Sequence, residues 1–489
     1  MNRLGSLALG LTTLLIANGH TIAPFATAVS AFLVLHYLDG PRPGLRLAIA
    51  APLFIVAQWF VWFGIIPLPG LLYYAVATIY GAAHFLPYVA HRLARTPGNP
   101  FISTLAFPAA YVLIEAALET WTPYGSWTSV AYTQDPGGGL GQLAAIGGTA
   151  AVTFGLTWLA SIAVWLWSRR ADGGHLGAIG LTTAIALTGL SLAPVLRVRM
   201  FTPSARIVHV AGLLPDMSLQ RALARAMSLA PERPSDAAVA AAAALNSDLI
   251  ARTRAAAQRG AQVVVWSETA ARVVKRDEKV LLEELSRAAR ENGVFLFAAY
   301  GAFDPHGAMP FQNRVAAFAP RGDLVWIYDK AHPIVGSEAD SVAAGAARLP
   351  VLDTPFGRVG LVICHDADFP NFVRQAHADR VDLLINPADD WPAIETLHAN
   401  MARFRAVENG VTLLRIANGV SIVADPVGRL VAQRNNFRGD EPTFSVAFSV
   451  RRGASFASRG VAVTRALAAL LLALIAALAM RANFRSRTN

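Results

Sequence analysis

Cysteine is nearly absent: position 364 holds the only one in 489 residues. A single thiol excludes an intramolecular disulfide and any multi-cysteine metal site, so cysteine usage says nothing about the redox compartment. Lysine is scarce as well. Of 42 basic residues only Lys275, Lys279 and Lys330 are lysines, and arginine fills almost every other cationic position. A lysine retained against that bias points to a place where a compact, titratable ammonium cannot be exchanged for a planar guanidinium. Lys275 and Lys279 belong to the charged stretch Lys275-Arg276-Asp277-Glu278-Lys279, which reads as solvated surface, leaving Lys330 as the informative one. Charge of either sign is thin. Charged residues make up 15% and hydrophobic residues 54%, a balance typical of a chain that is partly embedded in a membrane. Also missing are a glycine-rich phosphate loop, heptads and any repeat of solenoid period. The net charge of +10 comes from scattered arginines, many at the ends of apolar segments, where they read as topology signals. Nucleic acid is therefore not expected as a partner.

What is present is apolar sequence in blocks. Runs at about 4–18, 21–38, 46–66, 70–90, 101–118, 143–167, 177–195 and 461–480 make eight candidate spans. The positive-inside rule orients them. If Arg3 is cytoplasmic, the later cytoplasmic loops are 39–45, 91–100, 168–176 and the C-terminal tail, and all of them carry arginine. The opposite loops, 19–20, 67–69 and 119–142, carry neither lysine nor arginine. That asymmetry places residues 197–458 outside the cytoplasm. The loop at 119–142 holds Trp121, Tyr124, Trp127 and Tyr132, which reads as an interfacial or re-entrant segment or as an ordinary aromatic belt. Glu115, inside the fifth run, is costly to bury in a membrane and marks either function or a carboxylate reaching the interface.

Residues 197–458 alternate strand-like runs with helical stretches, which argues for α/β layers. Strand-like runs are 207–210, 263–266, 294–299, 324–328, 360–363, 383–385, 413–417 and 421–424, and helical stretches lie at about 236–259, 277–291, 371–378 and 396–409. Three of the strands each deliver one reactive group at their end. Val263-Val264-Val265-Trp266 leads to Glu268, Leu324-Val325-Trp326-Ile327-Tyr328 to Lys330, and Gly360-Leu361-Val362-Ile363 to Cys364. Singly each has a bland reading: the glutamate and lysine as solvated loop residues, the cysteine as a small core residue. Together they supply a thiol nucleophile, a base to take its proton and a cation for an oxyanion, the parts of acyl transfer.

In order and context these residues resemble the carbon–nitrogen hydrolase (nitrilase) superfamily. The resemblance runs from Trp266-Ser267-Glu268 through Asp329-Lys330-Ala331-His332-Pro333, Gly336-Ser337-Glu338 and Cys364-His365-Asp366 to Asn386-Pro387-Ala388, the stretch 398–410 and Asp425-Pro426-Val427-Gly428-Arg429. It implies an αββα sandwich with Glu268 as base, Lys330 as oxyanion stabiliser and Cys364 as nucleophile, while Glu338, His365 and Asp366 support the site or bind substrate. No cofactor and no metal are implied. Such a domain between seven leading spans and one trailing span is similar to the apolipoprotein N-acyltransferase family, and Tyr124-Gly125-Ser126-Trp127 through Gly147-Gly148 extends the likeness into the membrane part.

The expectation is thus a multi-pass α-helical membrane domain over 1–196, an extracytoplasmic nitrilase-like α/β domain over 197–458, and a C-terminal span with a basic tail over 459–489. The implied location is the bacterial inner membrane, with the catalytic domain on the periplasmic side. The implied reaction moves an acyl chain from a phospholipid donor onto Cys364 as a thioester, then onto the N-terminal amine of an apolipoprotein diacylglyceryl-cysteine. Membrane lipids are the surrounding partners. Two other readings share these residues: a membrane-tethered amidase or nitrilase in which water accepts the acyl group, and an inert scaffold. The chain departs from the acyltransferase pattern at His365-Asp366, where Tyr-Glu is expected, at Ile334-Val335-Gly336-Ser337, at 386–391, near 211–221 and at Leu118.

Overall fold

The computed structural model describes residues 2–17, 22–95, 101–169, 207–228, 235–304, 307–439 and 442–488, with a few single positions between 183 and 196. The expected span at 177–195 and most of the basic loop 168–176 lie outside the described residues. The chain divides into two compact units, one formed by Met1–Phe201 with Ala454–Asn489 and the other by Thr202–Gly453.

The first unit is helical: α1 Arg3–Leu14, α2 Ala26–Leu38, α3 Pro43–Val61, α4 Gly70–Ala94, α5 Ala106–Trp121, α6 Ala144–Arg169 and the C-terminal helix Ala457–Thr488. Among the described residues four helices are long and apolar enough to cross a membrane: Pro43–Val61, Ile102–Trp121, Gly139–Arg169 and Ala457–Arg481. The runs expected at 4–18 and 21–38 form helices of 12 and 13 residues. At 1.5 Å per residue these reach about 18–20 Å, short of the ~30 Å hydrocarbon core. Helix α4 has the length, with 25 residues, but carries His84, His91, Arg92 and several tyrosines.

Two devices hold this unit together. The C-terminal helix packs on α5 and α6, and at its closest approach small residues meet: a Cβ on Gly460 would collide with the Ile146 carbonyl, and one on Gly147 with Thr464. Backbone contact of that kind is how helices associate where lipid removes the hydrophobic drive. The second device is Glu115, which is buried. Its carboxylate accepts hydrogen bonds from Ser129 Oγ at 2.9 Å, Val130 N at 2.7 Å and Thr153 Oγ1 at 2.7 Å. It therefore fastens the loop after α5 to α6 from within the unit. In that loop Tyr124, Trp127 and Tyr132 are buried, and only Trp121 is largely exposed. The aromatic residues are mostly packing.

The second unit is a pair of sheets. One has the order β13-β1-β2-β4-β5-β6 with β3 also on β4, and the other β12-β11-β10-β9-β8-β7. The first contains β1 Ile207–Leu213, β2 Val263–Trp266, β3 Ala271–Val274, β4 Phe295–Phe303, β5 Phe311–Phe318, β6 Leu324–Asp329 and β13 Thr443–Ser449. The second contains β7 Val351–Thr354, β8 Gly357–Leu361, β9 Leu383–Ala388, β10 Thr412–Ala417, β11 Val420–Ala424 and β12 Leu430–Asn435. Strands β2, β9 and β10 are buried at every residue, because parallel strands in mid-sheet are covered on both faces and read as continuous apolar runs. Helices α7 Met217–Ser228, α8 Asp236–Gln258 and α9 Glu278–Asn292 accompany the first sheet, and α10 Glu395–Asn409 covers the second. The sheets meet in one hydrophobic core. They approach closely at β1, where a Cβ on Gly212 would run into the Ile416 side chain of β10. This is the αββα sandwich.

Candidate active site

Closing the sandwich is what assembles the site, because Glu268 and Lys330 leave strands of the first sheet and Cys364 leaves a strand of the second. Lys330 is fully buried. Its Nζ donates to Glu268 Oε1 at 2.8 Å and to Glu338 Oε2 at 2.6 Å. Asn313, in β5, donates from Nδ2 to Glu268 Oε1 at 2.7 Å and to Glu338 Oε1 at 3.2 Å, so one amide bridges the same two carboxylates that share the ammonium. The Ile334 backbone N–H, at 2.9 Å, completes the hold on Glu338. Burial alone would lower the Lys330 pKa, but Glu268 and Glu338 outweigh it and hold the amine well above its ordinary value. For Glu338 burial works upward, and the Lys330 charge and the hydrogen bonds bring it below the usual carboxylate range.

Cys364 opens a tight turn, Cys364–Asp368, separated by two residues from the end of strand Gly357–Leu361. Its φ of 43° lies in the left-handed region that a side chain rarely adopts, and such strain persists only where neighbours over-determine it. Asp366 is one of those neighbours. Its Oδ2 accepts from Ile363 N at 3.0 Å and from the Tyr328 hydroxyl at 2.7 Å, and its Oδ1 from His332 N at 2.9 Å, with His332 Nδ1 also at 2.9 Å. Burial, with the nearby Glu268 charge, pushes the Cys364 thiol up to about 12 against the pull of Lys330 and His398. At rest the sulfur therefore keeps its proton at neutral pH.

Of the residues expected from sequence, Glu268, Lys330 and Glu338 touch one another, and Cys364 lies within electrostatic reach of Glu268 and Lys330. His365 and Asp366 are fully buried, and their recorded partners are protein groups. His365 Nδ1 pairs with Asp368 Oδ2 at 2.7 Å. Behind Cys364 lies a network to which the sequence reading assigned no role. His398 Nε2 pairs with Asp368 Oδ2 at 3.1 Å and its Nδ1 with Asp390 Oδ1 at 3.0 Å. Arg415 then donates to both Asp390 oxygens at 2.7 and 2.9 Å. The available signal was an arginine inside the buried strand Thr412–Ala417 and a histidine on a buried helix face, since charged residues are rarely buried without a partner.

Ligand-type atoms of Cys364, Asp390 and His398 lie within 4.8 Å of one another, as do those of His365, Asp368 and His398. Asp390 is already neutralised by Arg415, and a divalent ion there would face that guanidinium at close range. The set is an ion-pair network rather than a cation site.

A cavity of about 210 Å³ lies in the same unit, lined largely by apolar side chains including Leu223, Met227, Val273, Val280 and Phe311. Arg272 forms part of its wall and is near enough to Asp389 and Glu268 to feel both charges.

Residues 211–444 match the family model described as carbon-nitrogen hydrolase. That match spans most of the second unit, Thr202–Gly453. Curated relatives named apolipoprotein N-acyltransferase come from Geobacter metallireducens, 29% identical over 216 residues and covering 40% of each chain, and from Sinorhizobium medicae, 30% identical and covering 40% of this chain and 43% of that one. A third, from Azotobacter vinelandii, is 27% identical over 400 residues, covering 76% of this chain and 73% of the relative. The chain thus spans less than half the length of the first two relatives and about three quarters of the third. Among solved structures, a mutant of the Nesterenkonia AN1 amidase from the nitrilase superfamily is 18% identical, covering 55% of this chain and 99% of that one with a TM-score of 0.42. The unit that matches the carbon-nitrogen hydrolase model is joined in the same chain to a helical unit in which, among the described residues, four helices are long and apolar enough to cross a membrane.

Proposed function

We propose that this chain is an apolipoprotein N-acyltransferase that moves an acyl chain from a phospholipid, through a Cys364 thioester, to the N-terminal amine of diacylglyceryl-cysteine. The observation that carries the reading is the match to a protein of that name over 76% of the chain, which exceeds the carbon–nitrogen hydrolase segment 211–444 and so reaches into the helical unit.

The geometry supports the chemistry. Glu268 takes the thiol proton as Cys364 Sγ attacks the ester carbonyl, and the Lys330 ammonium meets the charge that develops on the carbonyl oxygen. A thiol pushed up to about 12 does not ionise alone at neutral pH, which is why a base within reach is required. The departing lysophospholipid oxygen takes the proton back from Glu268, leaving the thioester. In the second half the acceptor amine attacks, Glu268 takes the amine proton, and the thiolate leaves and is reprotonated. Glu338 and Asn313 keep Lys330 charged and Glu268 oriented throughout.

The arginine-bearing loops support a periplasmic location for the domain and a cytoplasmic one for the tail. Anchoring donor and acceptor in one membrane raises their effective concentration at the site, and the apolar cavity offers a surface suited to an alkyl chain.

The test is expression in cells depleted of their own N-acyltransferase, reading the N-terminal mass of a reporter lipoprotein. The reporter should gain one acyl chain with the wild type and none with Cys364→Ala, and the mass gained reports chain length. An unmodified reporter, together with ammonia release from small amides by the purified protein, would establish water as the acceptor instead.

A further inference from the structure

Lys330 is the cation paired with Glu268, and two carboxylates, Glu268 and Glu338, already share it. That cluster carries a net negative charge, which opposes formation of a thiolate beside it. A second source of positive charge lies near Cys364, on the helix over the second sheet. His398 projects from α10, is 3% exposed, and has a ring nitrogen within 4.8 Å of Cys364 Sγ. It also pairs with Asp368 at 3.1 Å and Asp390 at 3.0 Å.

An imidazole held between two carboxylates keeps its proton. Burial would lower the His398 pKa, but Asp368 and Asp390 raise it well above the ordinary histidine value. An imidazolium has two N–H donors and no acceptor, so the ring nitrogen beside Sγ shares its N–H between its carboxylate partner and the sulfur. Donation from a cation to a thiolate is stronger than donation to a thiol, and an interaction that strengthens as charge develops favours the reacting form. Asp368 and Asp390 do not cancel this charge by themselves, because Asp390 is also paired with Arg415 at 2.7 Å and Asp368 accepts from His365 at 2.7 Å.

We propose that His398 is a second cationic catalytic residue, sharing an N–H with Cys364 Sγ and stabilising the thiolate as Glu268 removes its proton. The proposal rests on the reading of Cys364 as the nucleophile. The proton passes from Sγ to the Glu268 carboxylate, and His398 keeps its own. The charged groups facing Cys364 are Glu268 and Lys330 from the first sheet, His398 from α10 and Arg415 from β10, while Asp368 and Asp390 face His398.

Cys364 is the only cysteine, so the rate of iodoacetamide alkylation of the full-length purified protein reports one thiol with no background. His398→Gln should shift the pH profile of alkylation upward by about one unit or more, which is about tenfold in rate at a fixed pH below the inflection. Asp368→Asn, which weakens the hold on the imidazolium and leaves His398 in place, should move the profile the same way by less. A His398→Gln profile superimposable on wild type, in protein that unfolds cooperatively, overturns the proposal. If His398→Gln does not fold, an unchanged profile for Asp368→Asn overturns it. Alkylation needs neither acyl donor nor acceptor, so the two readings fail separately. A shifted profile in protein that transfers no acyl group removes the acyltransfer reading and keeps His398, and transfer with an unshifted profile does the reverse.

Discussion

Lys330→Ala is expected to lower acyl transfer by about 100- to 1000-fold, the loss seen when one oxyanion-stabilising donor is removed from a preorganised site. The same substitution leaves Glu268 and Glu338, now 2.8 and 2.6 Å from the ammonium, buried against each other with only Asn313 between them. One of the two carboxyls must then take up a proton, and if it is Glu268 the base is lost as well. Lys330→Arg should not rescue transfer. The side chain is completely enclosed, and a planar guanidinium needs more room and a different donor fork than the present contacts supply. This is the physical sense of a lone lysine persisting where arginine fills nearly every other cationic position. Steady-state transfer and thermal unfolding of both variants check the point, and activity within tenfold of wild type in Lys330→Ala would show that the ammonium does not serve the oxyanion.

Asp390→Ala should cost about 3–5 kcal/mol, the usual penalty for stranding a buried charge by deleting its partner. Arg415 and His398 both lose an ion pair, and both are buried. Because the cost is the stranded charge rather than the pair itself, Asp390→Ala combined with Arg415→Met should recover a good part of it. Denaturant unfolding of the full chain measures both. A loss under about 1 kcal/mol for the single variant, within the range of an exposed pair, would mean that Arg415 finds another partner.

The parts of the fold that were legible were those in which local pattern and final environment agree. Val263–Trp266 and Leu383–Ile385 are continuous apolar runs that end as doubly covered strands, and the helical stretches at 236–259 and 396–409 lie within a residue of the helices Asp236–Gln258 and Glu395–Asn409. Strands Phe311–Phe318 and Leu430–Asn435 were missed. Their sequences, Phe-Gln-Asn-Arg-Val-Ala-Ala-Phe and Leu-Val-Ala-Gln-Arg-Asn, carry polar runs that lack strict alternation. The apolar runs at 4–18 and 21–38 have the hydropathy of spans, and the helices they form, of 12 and 13 residues, are shorter than the ~30 Å core.

At the site, the reactive residues stood at strand ends and in family order, so sequence could nominate Glu268, Lys330 and Cys364. The groups behind them could not be nominated that way. Asn313 meets Glu268 across 45 positions of chain, and Asp368 meets His398 only because a turn of one segment and a helix of another pack on the same sheet. Contacts made by closing two sheets leave no local periodicity to read. Asp366, expected to support the site or bind substrate, has a carboxylate that braces the turn through Ile363, Tyr328 and His332, contacts that its place beside the cysteine did not reveal.

The most direct test of the account is the intact mass of the purified protein after incubation with phospholipid and no acceptor. A Cys364 thioester predicts a gain of one acyl chain on the wild type, removed by neutral hydroxylamine and absent from Cys364→Ala. A wild-type mass that stays unchanged while phospholipid is consumed, or an adduct that persists in Cys364→Ala, would contradict it.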